Sequence, residues 1–426
     1  MSAVAELVAA AARVVPLTEA VQLNPRPDRD ALTDDLEVSF VPMAAVEAAS
    51  GRMDATNVRR YGEVKKGYTF FREGDVLFAK ITPCMENGKM AVARGLRNGV
   101  GCGSTEFHVL RPRAGVDPHY VYHSVSSARF RAEAAHHMTG AVGQKRVPAS
   151  FLERSRIPLP EIHEQRRIVA EIEKQFSRLD EAVANLKRVK ANLKRYVASV
   201  LTTAVEGSLA PATSGQERIP LRELIGRIAQ GWSPKCDLTR EASAEEWAIV
   251  TTTAVQPMRY VDNQGKLLPP EFAPRPALEI RPGDFLVTRK GPRKRAGVAC
   301  LVRMTRPRLM VCDTVYRFRC DASKVVPEYL ELALNAPSIV RAIDAQKAGI
   351  NESGVSLTHD KLGSVLIPVP PIRDQRAIVA EVDRRLSIVR EVEAEVDENL
   401  KRAQALRQAV LTAAFRTADR PLPLPA

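Results

Sequence analysis

Two long stretches of the chain carry apolar residues at every seventh position. In the first stretch the two rows are Ile172, Leu179, Leu186, Leu193 and Val200, and Phe176, Val183, Lys190, Val197 and Ala204. In the second stretch they are Val382, Val389, Val396, Ala403 and Val410, and Leu386, Glu393, Leu400, Arg407 and Ala414. A seven-residue period predicts long helices that pair along an apolar seam, and polar members of such a seam usually fix its register.

The two stretches are copies of one another. Residues 157–160 (Ile-Pro-Leu-Pro) and 164–171 (Glu-Gln-Arg-Arg-Ile-Val-Ala-Glu) recur 210 positions later as residues 367–370 and 374–381. Proline suits the entry of a helix but not its interior, and acidic residues favour the N-terminal end. We therefore expect each copy to open a helix of roughly 40 residues, about 60 Å long at 1.5 Å per residue.

The repeat extends upstream of both helices at a spacing one residue shorter. Residues 74–77 (Gly-Asp-Val-Leu) align with 283–286, and residues 104–107 align with 313–316, 209 positions later in each case. Between these anchors the two halves are nearly unrelated. Short β-type runs bounded by Gly, Pro and Asp predict strands, so we expect two copies of one mixed α/β domain with diverged loops.

These patterns predict an α+β fold in which two similar mixed α/β domains are separated by two long antiparallel coiled-coil helices. The second domain follows the first helix after a short linker, and the second helix begins where that domain ends. The helices should therefore run antiparallel, with the domains at opposite ends of a rod and related by a pseudo-two-fold axis. The expected segments are a first domain at 1–157, a helix at 158–206, a linker at 207–218, a second domain at 219–367, a helix at 368–416 and a Pro-rich tail at 417–426.

Composition narrows the class of partner. The 426 residues carry a formal net charge of +13, which favours a polyanion over an acidic protein or a small metabolite. The six cysteines show no metal-ligand spacing, no apolar span of 18 residues occurs, and the first residues lack a secretory signal. We expect a reduced, cytoplasmic protein that binds no metal and no membrane.

The doubled arrangement resembles the specificity subunits of type I restriction–modification systems. The resemblance is carried by residues 157–169 with their copy at 367–379, by residues 74–77, and by residues 204–209 (Ala-Val-Glu-Gly-Ser-Leu) at the end of the first helix. The second helix ends without that glycine. The resemblance implies that each domain is a target-recognition domain that reads one part of a split site in double-stranded DNA.

The same resemblance implies the partners. The long helices would bind two modification subunits, which are methyltransferases that use S-adenosylmethionine. Restriction subunits, an ATP- and Mg-dependent translocase and nuclease, would join that core. The chain itself would bind no cofactor and hold no catalytic residue.

A search for catalytic motifs gives the same expectation. The only Asn-Pro pair, at residues 24–25, precedes arginine and not the Pro-aromatic pair of an adenine methyltransferase, and no Walker loop is present. The glycine run at 99–103 leads into a strand-like stretch, which favours a turn over a cofactor site. Residues 63–65 (Glu-Val-Lys) near Asp75 hint at a nuclease, but the copy of this aspartate, Asp284, has no such partner.

DNA contacts are expected in the diverged loops, because Arg, Lys, Asn and Gln pair with base edges and phosphates. The candidates in the first domain are Lys80, Thr82, Asn87, Lys89, Gln144, Lys145 and Arg146. The candidates in the second domain are Arg289, Lys290, Arg293, Lys294, Arg295, Asn351 and Ser353. The candidates for binding partner subunits are the seam residues Ile172, Phe176, Leu179, Val183, Leu186, Leu193, Val382, Leu386, Val389, Val396 and Leu400.

Two other functions stay open at this point. A single-chain restriction–modification enzyme is disfavoured by the missing motifs. A coiled-coil scaffold that binds only proteins would show no salt-dependent affinity for DNA, whereas a phosphate-binding surface weakens steeply as salt rises.

Overall fold

The computed structural model describes residues 13–26, 32–141, 143–207, 217–236, 242–349 and 352–415. The chain divides into two compact units: unit 1 comprises residues 1–186 and 397–426, and unit 2 comprises residues 187–396. Each unit therefore combines one of the predicted domains with parts of both long helices. The predicted tail at 417–426 and most of the predicted linker at 207–218 lie outside the described residues.

Unit 1 is a mixed α/β structure. Its described strands are β1 (Arg13–Pro16), β2 (Val21–Leu23), β3 (Glu37–Val41), β4 (Val58–Arg60), β5 (Thr69–Arg72), β6 (Val76–Ala79), β7 (Met90–Val92), β8 (Val100–Gly103), β9 (Phe107–Pro112) and β10 (Arg156–Leu159). Its described helices are α1 (Leu17–Ala20), α2 (Tyr61–Val64), α3 (Pro118–Ser126), α4 (Ala128–His136), α5 (Ala149–Arg154) and the first part of α6 (Ile162–Val205). The central sheet has the order β2-β9-β6-β7, and a second sheet has the order β4-β3-β8-β5, in which β3 and β8 are parallel.

Unit 2 has the same plan. Its described strands are β11 (Glu217–Pro220), β12 (Ala229–Gln230), β13 (Ala248–Val250), β14 (Val255–Gln256), β15 (Arg259–Tyr260), β16 (Gly265–Leu267), β17 (Phe285–Thr288), β18 (Lys290–Gly291), β19 (Ala299–Leu301), β20 (Leu309–Met310), β21 (Val315–Phe318), β22 (Val355–Ser356) and β23 (Leu366–Val369). Its described helices are α7 (Leu221–Leu224), α8 (Pro327–Asn335), α9 (Pro337–Ala345), α10 (His359–Gly363) and the first part of α11 (Ile372–Ala414). The central sheet has the order β12-β21-β17-β19, and the second sheet, β16-β13-β20, again contains a parallel pair.

The register of the central sheet corrects the predicted alignment of one strand. Leu110 of β9 lies opposite Val76 of β6 in unit 1, and Phe318 of β21 lies opposite Phe285 of β17 in unit 2. Phe285 follows Val76 by 209 positions, whereas Phe318 follows Leu110 by 208. The alignment of residues 104–107 with 313–316 is therefore wrong by one residue, because the loop before β21 is one residue shorter.

The proline motif before each long helix is a strand. β10 pairs antiparallel with β1, which places Ile157 opposite Val15, and β23 pairs with β11, which places Ile367 opposite Ile219. Among the described residues each of these sheets has two strands, and proline is tolerated there because it sits on an edge where its missing N–H is not needed. The helix starts predicted at residues 158 and 368 are consequently each four residues too early.

A buried glutamine ties the start of each long helix to the domain. Its side-chain oxygen accepts a backbone N–H from the residue before α3 or α8, and its side-chain amide donates to two backbone carbonyls. In unit 1 Gln165 makes these bonds to Asp117, Pro160 and Gly115 at 2.9, 2.8 and 3.2 Å. In unit 2 Gln375 makes them to Val326, Pro370 and Lys324 at 2.7, 2.8 and 3.3 Å. The glutamine of the repeated motif therefore has a structural role, because its three hydrogen bonds hold the start of the long helix on the domain. We call this set of three bonds the glutamine bracket.

Within each unit, an early part of one long helix packs against a late part of the other. In unit 1, Ile172 and Phe176 of α6 share a buried cluster with Leu411 of α11. In unit 2, Leu201 of α6 shares a buried cluster with Val382 of α11. The pairing inside each unit is therefore antiparallel, as the order of domains and helices along the chain predicts, and it lies along the apolar seam of the seven-residue period. The placement of the two domains relative to each other stays a prediction.

Candidate nucleic-acid interfaces

The two diverged loops of unit 1 lie side by side at one end of the central sheet. The first loop follows β6 and the second precedes α5. The backbone N–H of Thr82 donates to the carbonyl of Lys145 at 3.0 Å, and the N–H of Val147 donates to the carbonyl of Lys80 at 2.8 Å. Candidates that are far apart in the sequence therefore share one surface.

The same two loops meet in unit 2. The N–H of Leu357 donates to the carbonyl of Arg289 at 2.8 Å, and β18 pairs with β22 so that Lys290 lies opposite Ser356. Ser353 is exposed beside this pair, whereas Asn351 lies outside the described residues. Each unit thus presents one pair of loops, which we call its loop pair, on equivalent elements.

A buried side chain from the central sheet holds each loop pair. In unit 1, Nε2 of His108 lies 2.9 Å from the carbonyl oxygen of Val147, and its Nδ1 lies 3.1 Å from the side-chain nitrogen of Asn24. Burial lowers the pKa of His108, so a neutral imidazole that donates from Nε2 and accepts at Nδ1 satisfies both contacts. In unit 2 the hydroxyl of Tyr316 donates to the carbonyl of Leu357 at 2.9 Å. The corrected register makes these two positions equivalent.

An internal ion pair engages one of the unit 1 candidates. Arg146 donates two hydrogen bonds to the carboxylate of Glu106, at 2.9 and 2.8 Å. These bonds, with smaller contributions from Lys80 and His108, hold the pKa of Glu106 below its usual value. The charge of Arg146 is therefore largely balanced within the protein, and its guanidinium acts first as a brace for the second loop.

The other unit 1 candidates differ in exposure. The ammonium of Lys89 donates to the carbonyl of Met43 at 3.1 Å, and the hydroxyl of Thr82 donates to Glu86 at 3.2 Å. The polar groups of both side chains therefore already have a hydrogen-bond partner within the protein. The candidates that are exposed are Asn87, Gln144 and Lys145.

Two arginines of the basic loop in unit 2 are also committed to the fold. Arg293 pairs with Glu352 at 3.0 Å and with Asp344 at 3.3 Å. Arg295 donates to the carbonyl of Val255 at 2.9 Å, to the side-chain oxygen of Gln256 at 3.2 Å and to the carbonyl of Thr252. These bonds tie the loop to three other segments of unit 2, so neither guanidinium has its full set of donors free for a ligand. Sequence reasoning did not find the acidic partners, because ion pairing across the loops depends on the tertiary fold.

The remaining basic residues of this loop are differently placed. Lys290 and Lys294 are exposed. Arg289 is half-buried, and its guanidinium lies over the ring of Tyr316 at 5.4 Å from the ring centre. Three of the five basic side chains thus remain able to reach a ligand.

The seam residues predicted to bind partner subunits are largely buried inside the chain. Those at most 7% exposed are Ile172, Phe176, Val382, Leu386, Val389 and Val396. Those half-buried are Leu179, Val183, Leu186, Leu193 and Leu400. The buried ones pack against the neighbouring helix and domain, as the apolar row of an amphipathic helix does. That these residues bind a separate subunit stays a prediction.

The repeated Gly-Asp turn is structural. Asp75 is buried, accepts the backbone N–H of Arg72 at 2.7 Å and receives two hydrogen bonds from Arg111 at 2.8 and 2.7 Å. Asp284 is likewise buried and pairs with Arg319 at 2.8 Å. A carboxylate saturated in this way closes a turn, so the nuclease interpretation of Asp75 loses its support.

Within the part of the chain that the structure describes, no group of three or more His, Cys, Asp or Glu side chains is arranged to hold a metal ion. None of the helices formed by these residues has both the length and the apolar character needed to cross a membrane. The six cysteines are free thiols, and burial raises the pKa of Cys102 to about 11 and that of Cys300 to about 12.

Comparisons of the sequence with known proteins all point to one family. The model of the type I restriction modification DNA specificity domain matches residues 14–195. The type I restriction enzyme EcoEI specificity subunit of Escherichia coli is 30% identical, over 87% of this chain and 76% of its own length. The EcoKI specificity subunit of Escherichia coli strain K12 is 26% identical, over 75% of this chain and 68% of its own length.

Solved structures share the fold. A chain from the structure on complex assembly and conformational transition of the type I R-M system matches with a TM-score of 0.72 and 21% identity, over 96% of this chain and 98% of that chain. The crystal structure of the HsdS subunit from Thermoanaerobacter tengcongensis matches with a TM-score of 0.52 and 22% identity, over 95% of this chain and 96% of that chain.

Proposed function

This chain belongs to the family of type I restriction enzyme specificity subunits, and from that membership we propose that it selects a bipartite, asymmetric site in double-stranded DNA. One observation carries the proposal: each unit presents a loop pair on equivalent elements of the same fold, but with different side chains. Exposed amides and a lysine dominate in unit 1, whereas unit 2 presents two lysines and a stacked arginine. Two protein surfaces of different chemistry are suited to bind the two parts of a DNA site whose base sequences differ.

Electrostatics supports the choice of ligand. A net charge of +13 favours association with the phosphate backbone and makes the affinity fall as salt rises. Lys145 in unit 1 and Lys290 and Lys294 in unit 2 are exposed beside the loop pairs. We assign them to phosphate contacts, which position the protein without reading sequence.

We propose that partner subunits bind the outer faces of the long helices. Large apolar side chains there are exposed although the seam is filled: Val189, Tyr196, Ile388 and Leu406 are 39, 46, 52 and 41% exposed. We propose these side chains, ahead of the buried seam residues, for contacts with two modification subunits. Restriction subunits would join the same assembly.

The chemistry would belong to those partners. In this proposal S-adenosylmethionine is held by the methyltransferase subunits, and ATP and Mg are held by the restriction subunits, while this chain is non-catalytic. It acts in the cytoplasm. Methyl transfer by the purified chain alone would contradict this assignment, and a DNA affinity that ignores salt would favour a protein-only scaffold.

The two long helices would set the distance between the two parts of the site. To test this, the chain is expressed with its methyltransferase partner and methylated adenines are mapped; we expect a split motif with one fixed spacer. Deleting residues 183–189 and 393–399 together removes one heptad from each helix, roughly 10 Å at 1.5 Å per residue. At about 3.4 Å per base pair the spacer should shorten by about three base pairs while the bases stay the same.

The matched control deletes residues 183–189 alone. One helix then loses its heptad partner along the seam, so methylation should be lost and not redirected. A double deletion that methylates with the original spacer would contradict the proposed role of the helices, and a wild-type motif that is not split would contradict the proposed function.

A further inference from the structure

Arg289 is the most constrained of the free basic residues in the unit 2 loop pair. Its backbone is fixed on both sides: its N–H donates to the carbonyl of Thr314 and its carbonyl accepts from Leu357, each at 2.8 Å. Its guanidinium lies over Tyr316, whose ring in turn lies 4.3 Å from the ring of His359. Because the hydroxyl of Tyr316 is bonded to the loop pair, the stacking platform cannot move independently of the loops.

One nitrogen of the guanidinium also lacks a hydrogen-bond partner among the described residues: this is Nε of Arg289, which is buried. Arg293 and Arg295 in the same loop are bonded to carboxylates and carbonyls instead. A buried donor without an acceptor is costly and rare in folded proteins, so the side chain is held at some cost. Because Nε is enclosed by the protein, the two terminal nitrogens of this half-buried guanidinium are the donors that a ligand could meet.

We propose that Arg289 reads a guanine in the part of the DNA site that unit 2 binds. This inference rests on the proposed function. A braced guanidinium presents two parallel N–H donors, and the O6 and N7 acceptors of guanine in the major groove match that fork. The aromatic face of Tyr316 holds the plane of the fork without using any of its donors.

The position in unit 1 that is equivalent to Arg289 shows why the arginine over an aromatic ring occurs in unit 2 and not in unit 1. Lys80 stands there, and the residue equivalent to Tyr316 is His108. Lysine lacks the planar fork, and its charge lies near the carboxylate of Glu106. The reading of guanine through a stacked arginine therefore belongs to one part of the site only.

The test compares methylation by the complex of the full chain with its methyltransferase partner, for the wild type and for R289A, R289K and K294A. Methylation rates are measured on duplexes that carry each base at every position of the site. We expect the wild type to prefer guanine at one position roughly 5- to 150-fold, the range of a bidentate contact. R289A should lose that preference there and keep every other position.

R289K keeps the positive charge and should lose most of the guanine preference while it retains affinity, which tests the inference even if R289A folds poorly. K294A serves as the control: it should weaken all sequences equally and reduce the salt dependence by about one phosphate contact. An unchanged guanine preference in both Arg289 variants would overturn the inference, as would a loss that is uniform across sequences. In either case a split wild-type motif would leave the proposed function standing.

Discussion

The two units differ not only in their loop pairs but also where the long helices join the domain. In unit 1 this joint contains His123 of α3, whose ring packs edge-on against Phe176 at 5.7 Å. The guanidinium of Arg407 lies over the same phenyl ring at 4.1 Å and bonds Asp180 at 2.7 Å. The joint of unit 1 is therefore partly polar.

In unit 2 the same positions are aliphatic. Leu332 stands where unit 1 has His123, 209 positions earlier, and Leu386 and Val197 replace Phe176 and Arg407. Leu332 is as buried as His123, each being 3% exposed. Both joints nevertheless keep the buried glutamine bracket. Backbone hydrogen bonds therefore fix the geometry of the joint in both units, while the chemistry of the packed side chains varies between them.

The glutamine bracket should give the largest effect, and the same effect in both units. Q165L and Q375L each remove three hydrogen bonds, one from a backbone N–H and two to backbone carbonyls, at sites that are mostly part-buried. We expect each to lower the free energy of unfolding of its unit by about 2–4 kcal/mol, at roughly 1–3 kcal/mol per unpaired group with partial relaxation. Hydrogen–deuterium exchange at increasing urea resolves the loss in each unit.

The control for this pair is Q175L. Gln175 is also on α6, but its side chain is half-buried and bonds only Glu171, so its replacement should cost under about 0.5 kcal/mol. A large loss in one unit and none in the other would show that the brackets are not equivalent, and would undermine the comparison.

His123 should make the stability of unit 1 depend on pH. Burial, with smaller contributions from His119 and Arg407, lowers the pKa of His123 to about 3, and both ring nitrogens are buried without a hydrogen-bond partner among the described residues. The unfolded chain binds this proton near pH 6.5. Between about pH 6.5 and 3 the unfolded state therefore holds more protons, so stability is full above pH 6.5 and falls as the pH drops.

The substitution H123L places in unit 1 the leucine that unit 2 has at the equivalent position, Leu332. It should remove a slope of up to roughly 1.4 kcal/mol per pH unit from the acid limb and raise the stability at pH 7 by about 1–2 kcal/mol. Urea unfolding of unit 1 between pH 7 and 4 measures both changes. H163L, which replaces an exposed histidine of α6, is the control and should leave the profile as it is. An unchanged slope in H123L would mean that His123 is protonated in the folded protein.

Much of this architecture was predictable from the sequence because repeats and seven-residue periods are local signals. The doubled domain, the long helices and the loops that form each loop pair follow from them. The proline motif is ambiguous in the sequence, because proline suits both a helix entry and an edge strand. Only the pairing of Ile157 with Val15, remote in the sequence, decides between the two.

The chemistry of the loop pairs was predictable only in part. Residue types identified all the basic candidates, but not which were already engaged. Glu106 and Glu352 neutralise Arg146 and Arg293 from segments that the fold brings near. The equivalence of His108 and Tyr316 does not follow from the sequence spacing, because β21 is shifted by one residue relative to β9. Only the hydrogen-bond register of the two sheets reveals that shift.

Arg407 should matter least for stability. Its ion pair with Asp180 is partly solvated, with side chains 20 and 46% exposed, so the pair and the contact with Phe176 together contribute on the order of 1 kcal/mol. Against this, Nε of Arg407 is buried without a hydrogen-bond partner among the described residues, which R407V relieves. The two effects oppose each other, so R407V, which installs the valine of unit 2, should change the unfolding free energy of unit 1 by less than about 1 kcal/mol. Urea unfolding at low and high salt checks this, with V197I as the conservative control in unit 2. A loss above about 2 kcal/mol would mean that the polar joint of unit 1 depends on this pair and is not interchangeable with its aliphatic counterpart.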